Sequence, residues 1–239
     1  MTGSSGQADP QRLDLIDLGL ALMALASGST DVMAFLTLGD IFTSAMTGNV
    51  AFLAIAIGQG KLHSALLSFL ALLGFIGGVA AATALYAPRK PSVRAVLRPL
   101  FALELACLAG FAGAWYVVDR SLGGLGLDLL IVLSAIAMGV QGVAARHVNA
   151  PGVNTIVFTS TLVAIVMSVT GAVVRPSVHP PVATNTVRQV LILLTYALGG
   201  LIAAFVIWRF ADVIQWIPLV TASGAVVCFE VTRRKPLPR

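Results

Sequence analysis

Charge is what this sequence has least of. Asp, Glu, Lys and Arg make up 10% of its 239 residues, against roughly 25% in an ordinary soluble domain, so a water-exposed surface of normal polarity is excluded. Cysteine is scarce too. Cys107 and Cys228 each stand in an apolar span, with no CxxC pattern and no neighbouring His, which leaves both as small buried fillers rather than a disulfide or a metal site. The three histidines, His63, His147 and His179, are far apart, and no HExxH, GxSxG or Walker spacing occurs. Without convergent acids, bases or nucleophiles the expectation is no enzyme, no catalytic residue, no metal and no cofactor.

What fills the chain instead is apolar: 58% of residues are hydrophobic and the mean hydropathy is +0.94. Several windows of about 17 to 25 residues carry almost no charge, the length needed to cross a hydrocarbon core of about 30 Å. The fold class is therefore an all-α membrane protein, a polytopic bundle of about six to eight helical segments, with the lipid bilayer as its first partner. The net charge of +5 does not point to nucleic acid, because the basic residues cluster between spans. Arg89, Lys90, Arg94 and Arg98 form one cluster and Arg233, Arg234, Lys235 and Arg239 another, as expected of cytoplasmic flanks.

The chain divides into a polar tail over residues 1–12, a first membrane repeat over 13–120, a second over 121–231 and a basic tail over 232–239. The tail lacks a basic n-region, so no cleavable signal peptide is expected. Helices are expected near 13–27, or 13–38 if the first continues through Asp31, and near 43–58, 62–86, 99–118, 127–146, 153–174, 188–208 and 213–229, the second being short for a full crossing. Asp14 and Asp17 suit the positive end of the first helix. Gly74 and Gly78 have the GxxxG spacing of close helix contact. The pattern restarts near Leu127. Met138-Gly139-Val-Gln141 answers Ser27-Gly28-Ser-Thr-Asp31, Thr155 to Thr161 answers Thr43 to Asn49, and Gly199-Gly200 answers Gly77-Gly78. The helices bearing Thr47 and Thr159 are expected to meet near a pseudo-axis. Four crossings per repeat would make the halves parallel, and three or five would make them inverted.

The stretch Gly28 to Asn49 organises the reading, because it places polar and helix-weakening residues inside a long apolar region. Irregular backbone at membrane depth lines a cavity or packs inside protein. The order Asp31, Phe35, Phe42, Thr43 and then Met46-Thr47-Gly48-Asn49 resembles the YoaK family of uncharacterised bacterial membrane proteins, over about Leu15 to Phe229. The resemblance implies a multi-pass, all-helical protein of the bacterial inner membrane and carries no reaction with it. Where it implies an Asn, this chain has Gly142, so a symmetrical pair of ligands is not expected.

The candidate binding residues are Asp31, Thr43, Thr47, Gly48, Asn49, Gln141, Thr155 and Thr159. An ionisable group inside a span is a functional candidate by default, costing about 2.5 to 3.5 kcal/mol at a helix centre. Asp31 is read either as a coupling or ligand group, or as a helix cap or an ion-pair partner of Arg146. Thr43 and Thr47, and likewise Thr155 and Thr159, place two hydroxyls on one face at a helix start, where unpaired N–H groups receive anions. The plainer reading is hydroxyls bonded to their own helix and a Gly48 that permits packing. Glu104 is read as neutralised by Arg98 or reaching the interface, and Arg146 with His147 either as snorkelling residues or as the cationic half of a site. The function expected is a secondary transporter of a small polar or anionic solute. The alternative is a non-transporting scaffold or sensor that binds a protein or lipid. No feature of the sequence sets an oligomeric state.

Overall fold

The computed structural model describes residues 15–86, 93–118, 124–148, 158–174 and 184–232, and every regular element among them is helical. In order these are α1 (Leu15–Thr37), α2 (Met46–Gly58), α3 (Leu62–Tyr86), α4 (Val93–Val117), α5 (Leu125–Val148), α6 (Phe158–Val174), α7 (Thr184–Phe210), a 3-10 turn (Ala211–Val213) and α8 (Trp216–Thr232). The N-terminal tail, Asp14, Thr155 and the residues from Arg233 onward lie outside the described residues. α4 begins at Val93 rather than at Pro99. Pro99 stands inside the helix, where it removes one backbone hydrogen bond and presses its ring on the preceding turn. α2 begins at Met46 rather than Thr43, because Thr43 and Ser44 are bonded elsewhere.

Contacts between neighbours fix the direction in which each helix runs. Arg98, near the start of α4, forks onto Glu230 at the end of α8, with Nε–Oε1 3.0 Å and Nη2–Oε2 2.9 Å. Phe101 stacks on Phe229 one turn further in, and at the opposite end Trp216 Nε1 donates to the Tyr116 hydroxyl at 3.0 Å. α4 and α8 are thus antiparallel over their whole length. Gly19 faces Phe229 and Gly224 faces Leu22, so α1 is antiparallel to α8. Asp17, in the first turn of α1 as expected, also pairs with Arg188 at 2.7 Å, and Val32 meets Gly200, so α7 is parallel to α1. Gly74 faces Val132 and Gly78 faces Ile136, so α3 is parallel to α5. α5 in turn is antiparallel to α4: Leu100 and Phe101 share a cluster with Val140 and Ala144, Phe111 and Trp115 with Leu127 and Ile131.

The consequence is six helices that run from one end of the bundle to the other, five of them long and apolar enough to cross a membrane and the sixth, the 17-residue α8, lying antiparallel to α4. α1, α4 and α7 run away from the Arg98 end, and α3, α5 and α8 run towards it. Since α1 finishes and α3 starts at the far end, marked by Lys61, the intervening α2 returns to the side it left. Its 13 residues rise about 20 Å, short of the ~30 Å core. α5 finishes and α7 starts at the Arg98 end, so α6 is re-entrant from that side. A pair of cysteines at Ser92 and Leu237 should therefore be labelled from one face of the membrane, and a cysteine at Gln59 from the other. Labelling of Ser92 and Leu237 from opposite faces would require eight crossings.

Three apolar layers stack across the bundle. Leu20, Leu97, Leu100 and Val140 lie at the Arg98 end, Ala26, Leu108, Ala137, Met138 and Ala222 in the middle, and Met33, Leu38, Leu67, Phe111 and Ile131 at the Lys61 end. α1 and α5 are the most enclosed spans and touch at the centre. α2 packs on α3 and α6 on α7, so the Thr47 and Thr159 helices are carried outside the α1–α5 contact instead of meeting at an axis. Leu73, Ile76, Leu194, Leu201 and Phe205 are exposed, as lipid-facing positions must be.

Candidate functional site

The break between α1 and α2 begins where the helix can no longer continue. Gly39 has φ +92° and Asp40 φ +58°, the left-handed conformation that commonly ends a helix and that Gly and Asp tolerate best. Residues 41–45 then fold back beside α1 to the level of Asp31, from which α2 runs outwards. Four of the predicted site residues are brought together there. Asp31, 1% exposed, accepts five hydrogen bonds. Its Oδ1 takes the backbone N–H groups of Thr43 and Ser44, each at 2.7 Å, and the Thr43 hydroxyl at 3.1 Å. Its Oδ2 takes the Ser44 hydroxyl at 2.6 Å and the Tyr196 hydroxyl of α7 at 2.7 Å.

Asn49, fully buried, clamps the same turn from the other side: the Phe42 N–H donates to its Oδ1 at 2.8 Å and its Nδ2 donates to the Phe42 carbonyl at 2.6 Å. Gly48 leaves room for the Phe42 ring, which a Cβ would meet at 2.7 Å, and Phe42 stacks with Phe35 at 5.3 Å and Phe52 at 5.7 Å. The carboxylate of Asp31 is held by the turn that precedes α2, through the Thr43 and Ser44 N–H groups, while the helix itself begins at Met46 with no side-chain cap. Thr43 spends its hydroxyl on that carboxylate instead of its own helix.

The other predicted residues are elsewhere. Thr47 and Thr159 are exposed, and Thr155 lies outside the described residues. Gln141, on α5, donates from Nε2 to the Met23 carbonyl at 2.7 Å and to the Ser27 hydroxyl at 3.0 Å, tying α5 to α1 one turn before Asp31. Arg146 is not paired with Asp31. It lies beyond Gln141, towards the Arg98 end, where with His147, Gly142, Val143, Phe75, Val79 and Thr83 it lines a cavity of about 350 Å³ between α3 and α5. Arg146 has no ion pair among the described residues, and His147 holds its ring by Nδ1 to the Val143 carbonyl at 2.9 Å. A carbonyl only accepts, so Nδ1 carries the proton there.

Two residues escaped the sequence reading and a third was misread. Ser44 stands beside a chosen threonine, and Tyr196 stands three residues before the Gly199 pair, so both had a local signal. Glu104 is the third. Arg98 is engaged by Glu230, and Glu104 is 1% exposed, with a buried Oε1 that has no hydrogen-bond partner. It neither reaches the interface nor is neutralised by Arg98.

The two central helices meet α7 and α3 through paired glycines. A Cβ on Gly28 would strike the Tyr196 carbonyl and one on Gly199 the Leu25 carbonyl. In the other half a Cβ on Gly139 would strike the Phe75 carbonyl and one on Gly78 the Ile136 carbonyl. Asp31 stands three residues after Gly28, and Gly142 three after Gly139.

Comparison with known proteins agrees with this architecture. Residues 19–228 match the family described as "Protein of unknown function (DUF1275)". The chain is 32% identical over 215 residues to the UPF0700 transmembrane protein YoaK of Bacillus subtilis (strain 168), a similarity that covers 87% of this chain and 91% of that protein. No solved structure matches. A helical bundle of membrane-length spans, with the Asp31 to Asn49 signature at its first break, is thus a transmembrane protein belonging to the DUF1275 family.

Proposed function

We propose that the chain is a secondary transporter of a small anionic solute, built as two halves of inverted topology in the bacterial inner membrane, with its Arg98 end cytoplasmic. The reading is supported by three crossings and one re-entrant helix in each half, by re-entry from opposite ends, and by the matched glycine contacts. Such halves rocking about a shared site give alternating access. The basic clusters adjoin the Arg98 end, as the positive-inside rule asks of a cytoplasmic face.

The observation that carries the solute class is the cavity beside Gly142. In the first half the helix break is filled by a carboxylate of the chain itself. At the corresponding place in the second half there is no side-chain carboxylate. There is a cavity of about 350 Å³ instead, with Arg146 at its rim, within the ~300 to 1,000 Å³ of small-molecule sites. An external carboxylate or phosphate takes the place of the missing anion, and Arg146 supplies forked, charge-assisted donors.

Thermal unfolding of the purified protein against a panel of small carboxylates and phosphates tests this. At least one should raise the melting temperature, since a ligand that binds only the folded state stabilises it. Arg146→Gln should keep the ligand-free melting temperature and need at least about tenfold more of that anion for the same shift, the loss of one charge-assisted contact of about 1.5 to 3 kcal/mol. An anion response unchanged in Arg146→Gln would remove the site from this cavity.

A further inference from the structure

Two buried acceptors in the middle of the bundle lack a donor, and they lie at one level. The first is Glu104 Oε1 and the second Gln141 Oε1; the residues are 1% and 2% exposed. Glu104 lies between Phe101, which shares an apolar cluster with Val140 and Ala144 of α5, and Leu108, which shares one with Ala137 and Met138. The α5 stretch opposite it is therefore the one that contains Gln141. The amide nitrogen of Gln141 is already committed to α1 through Met23 and Ser27, so its oxygen is the end left over. A carboxylate buried without a partner is among the most costly groups a membrane interior can hold.

One added proton answers both deficits. We propose that Glu104 and Gln141 form a proton-binding site in the core of the membrane domain, in which the protonated Glu104 carboxyl donates its O–H to the Gln141 amide oxygen. The carboxyl then has a partner, the amide oxygen accepts, and no charge remains in the interior. Loss of the proton separates the pair and leaves the carboxylate to seek water.

Other charges on the surrounding helices do not compete for this role. Asp17 pairs with Arg188 and Glu230 with Arg98, while Asp31 is saturated by Thr43, Ser44 and Tyr196. Asp128 Oδ1 is also a buried acceptor without a partner, but it lies in the first turn of α5, at the Lys61 end, away from the level of Gln141, and Arg146 and His147 lie in the last turn. Cys107, on α4 with Glu104, and Cys228, on α8, are free thiols. The proton site stands on these groups alone. Its use to couple solute movement rests on the transporter reading.

The test is modification of the purified, monodisperse protein with a hydrophobic carbodiimide, which attacks protonated carboxyls in apolar surroundings, located by peptide mass spectrometry. Glu104 should be modified, with a yield that falls at least about threefold between pH 5.5 and pH 8.5, the change expected of an acid that titrates within that range. Gln141→Leu, which removes the acceptor and keeps the volume, should alter that pH profile. A Glu104 adduct that does not form, or whose yield is independent of pH, would overturn the proposal, and so would a profile unchanged in Gln141→Leu. The wild-type measurement requires no variant to fold. Because it uses no solute, an adduct that titrates without any anion response separates failure of the transporter reading from failure of the proton site.

Discussion

Asp31→Ala should lose about 3 to 5 kcal/mol of stability, the cost of breaking a buried charged network by removing one side. Five donors converge on this carboxylate, and each buried donor left unpaired costs about 1 to 3 kcal/mol, less where water enters. A typical domain has only ~5 to 15 kcal/mol in all. Monodisperse yield and melting temperature in detergent should therefore both collapse. Asp31→Asn should be far milder, about 1 to 2 kcal/mol by the same reckoning. Its carbonyl oxygen can keep the Thr43 and Ser44 N–H groups, and its amide can donate to the Ser44 and Tyr196 hydroxyls, which rotate to accept. The Asn variant should also retain any anion response. If Asp31→Asn folds as the wild type does and loses that response, Asp31 is a ligand or coupling group and not the internal anion described above.

Gly28→Val should separate α1 from α7. A Cβ at this position meets the Tyr196 carbonyl oxygen and carbonyl carbon, which are backbone and cannot rotate away, so the helices must part along a contact that also carries the Asp31–Tyr196 bond. Overpacking of an ordinary core costs about 1 to 3 kcal/mol, and a rigid backbone contact belongs at or above the top of that range. Gly139→Val should do the same between α5 and α3 through the Phe75 carbonyl. Gly77→Val and Gly113→Val are the matched controls, because nothing lies within 4 Å of a Cβ at either position. Equal melting temperatures for Gly28→Val and Gly77→Val would mean that α1 and α7 do not touch as described.

How far the sequence could be read depended on how far apart the partners lie. Asp31, Thr43 and Asn49 were visible as polar residues grouped in an apolar run, and they do share one structural element. That Asp31 is already satisfied was not visible, since the Tyr196 hydroxyl comes from 165 residues away. Glu104 was misread for the same reason. Spacing along α4 offered Arg98 as its partner, whereas Arg98 is taken by Glu230, 132 residues distant. The shortness of α2 was legible, and the basic 89–98 loop already made one of the short segments beside the Thr clusters a suspect for re-entry; that both α2 and α6 turn back was not. A hydropathy pattern records length and not direction, and here direction follows from which end of α8 meets which end of α4. Gly74 and Gly78 were recognised as packing positions because close backbone approach requires a missing Cβ, whereas Gly28, Gly139 and Gly199 were read only as marks of a repeated pattern. Their partners could be named only once the helices were placed.

Alternating access is the central claim, and thiol accessibility tests it most directly. Val143→Cys, in a background with Cys107→Ala and Cys228→Ala, places the sole thiol on the wall of the cavity between α3 and α5. Sealed vesicles of each orientation are then exposed to a membrane-impermeant thiol reagent. The account predicts rapid reaction from the Arg98 face and slower but complete reaction from the Lys61 face, as the halves rock and the same wall opens to the other side. Reaction from the Arg98 face alone, with none from the Lys61 face however long the exposure, would contradict it and leave a closed pocket in a non-transporting scaffold.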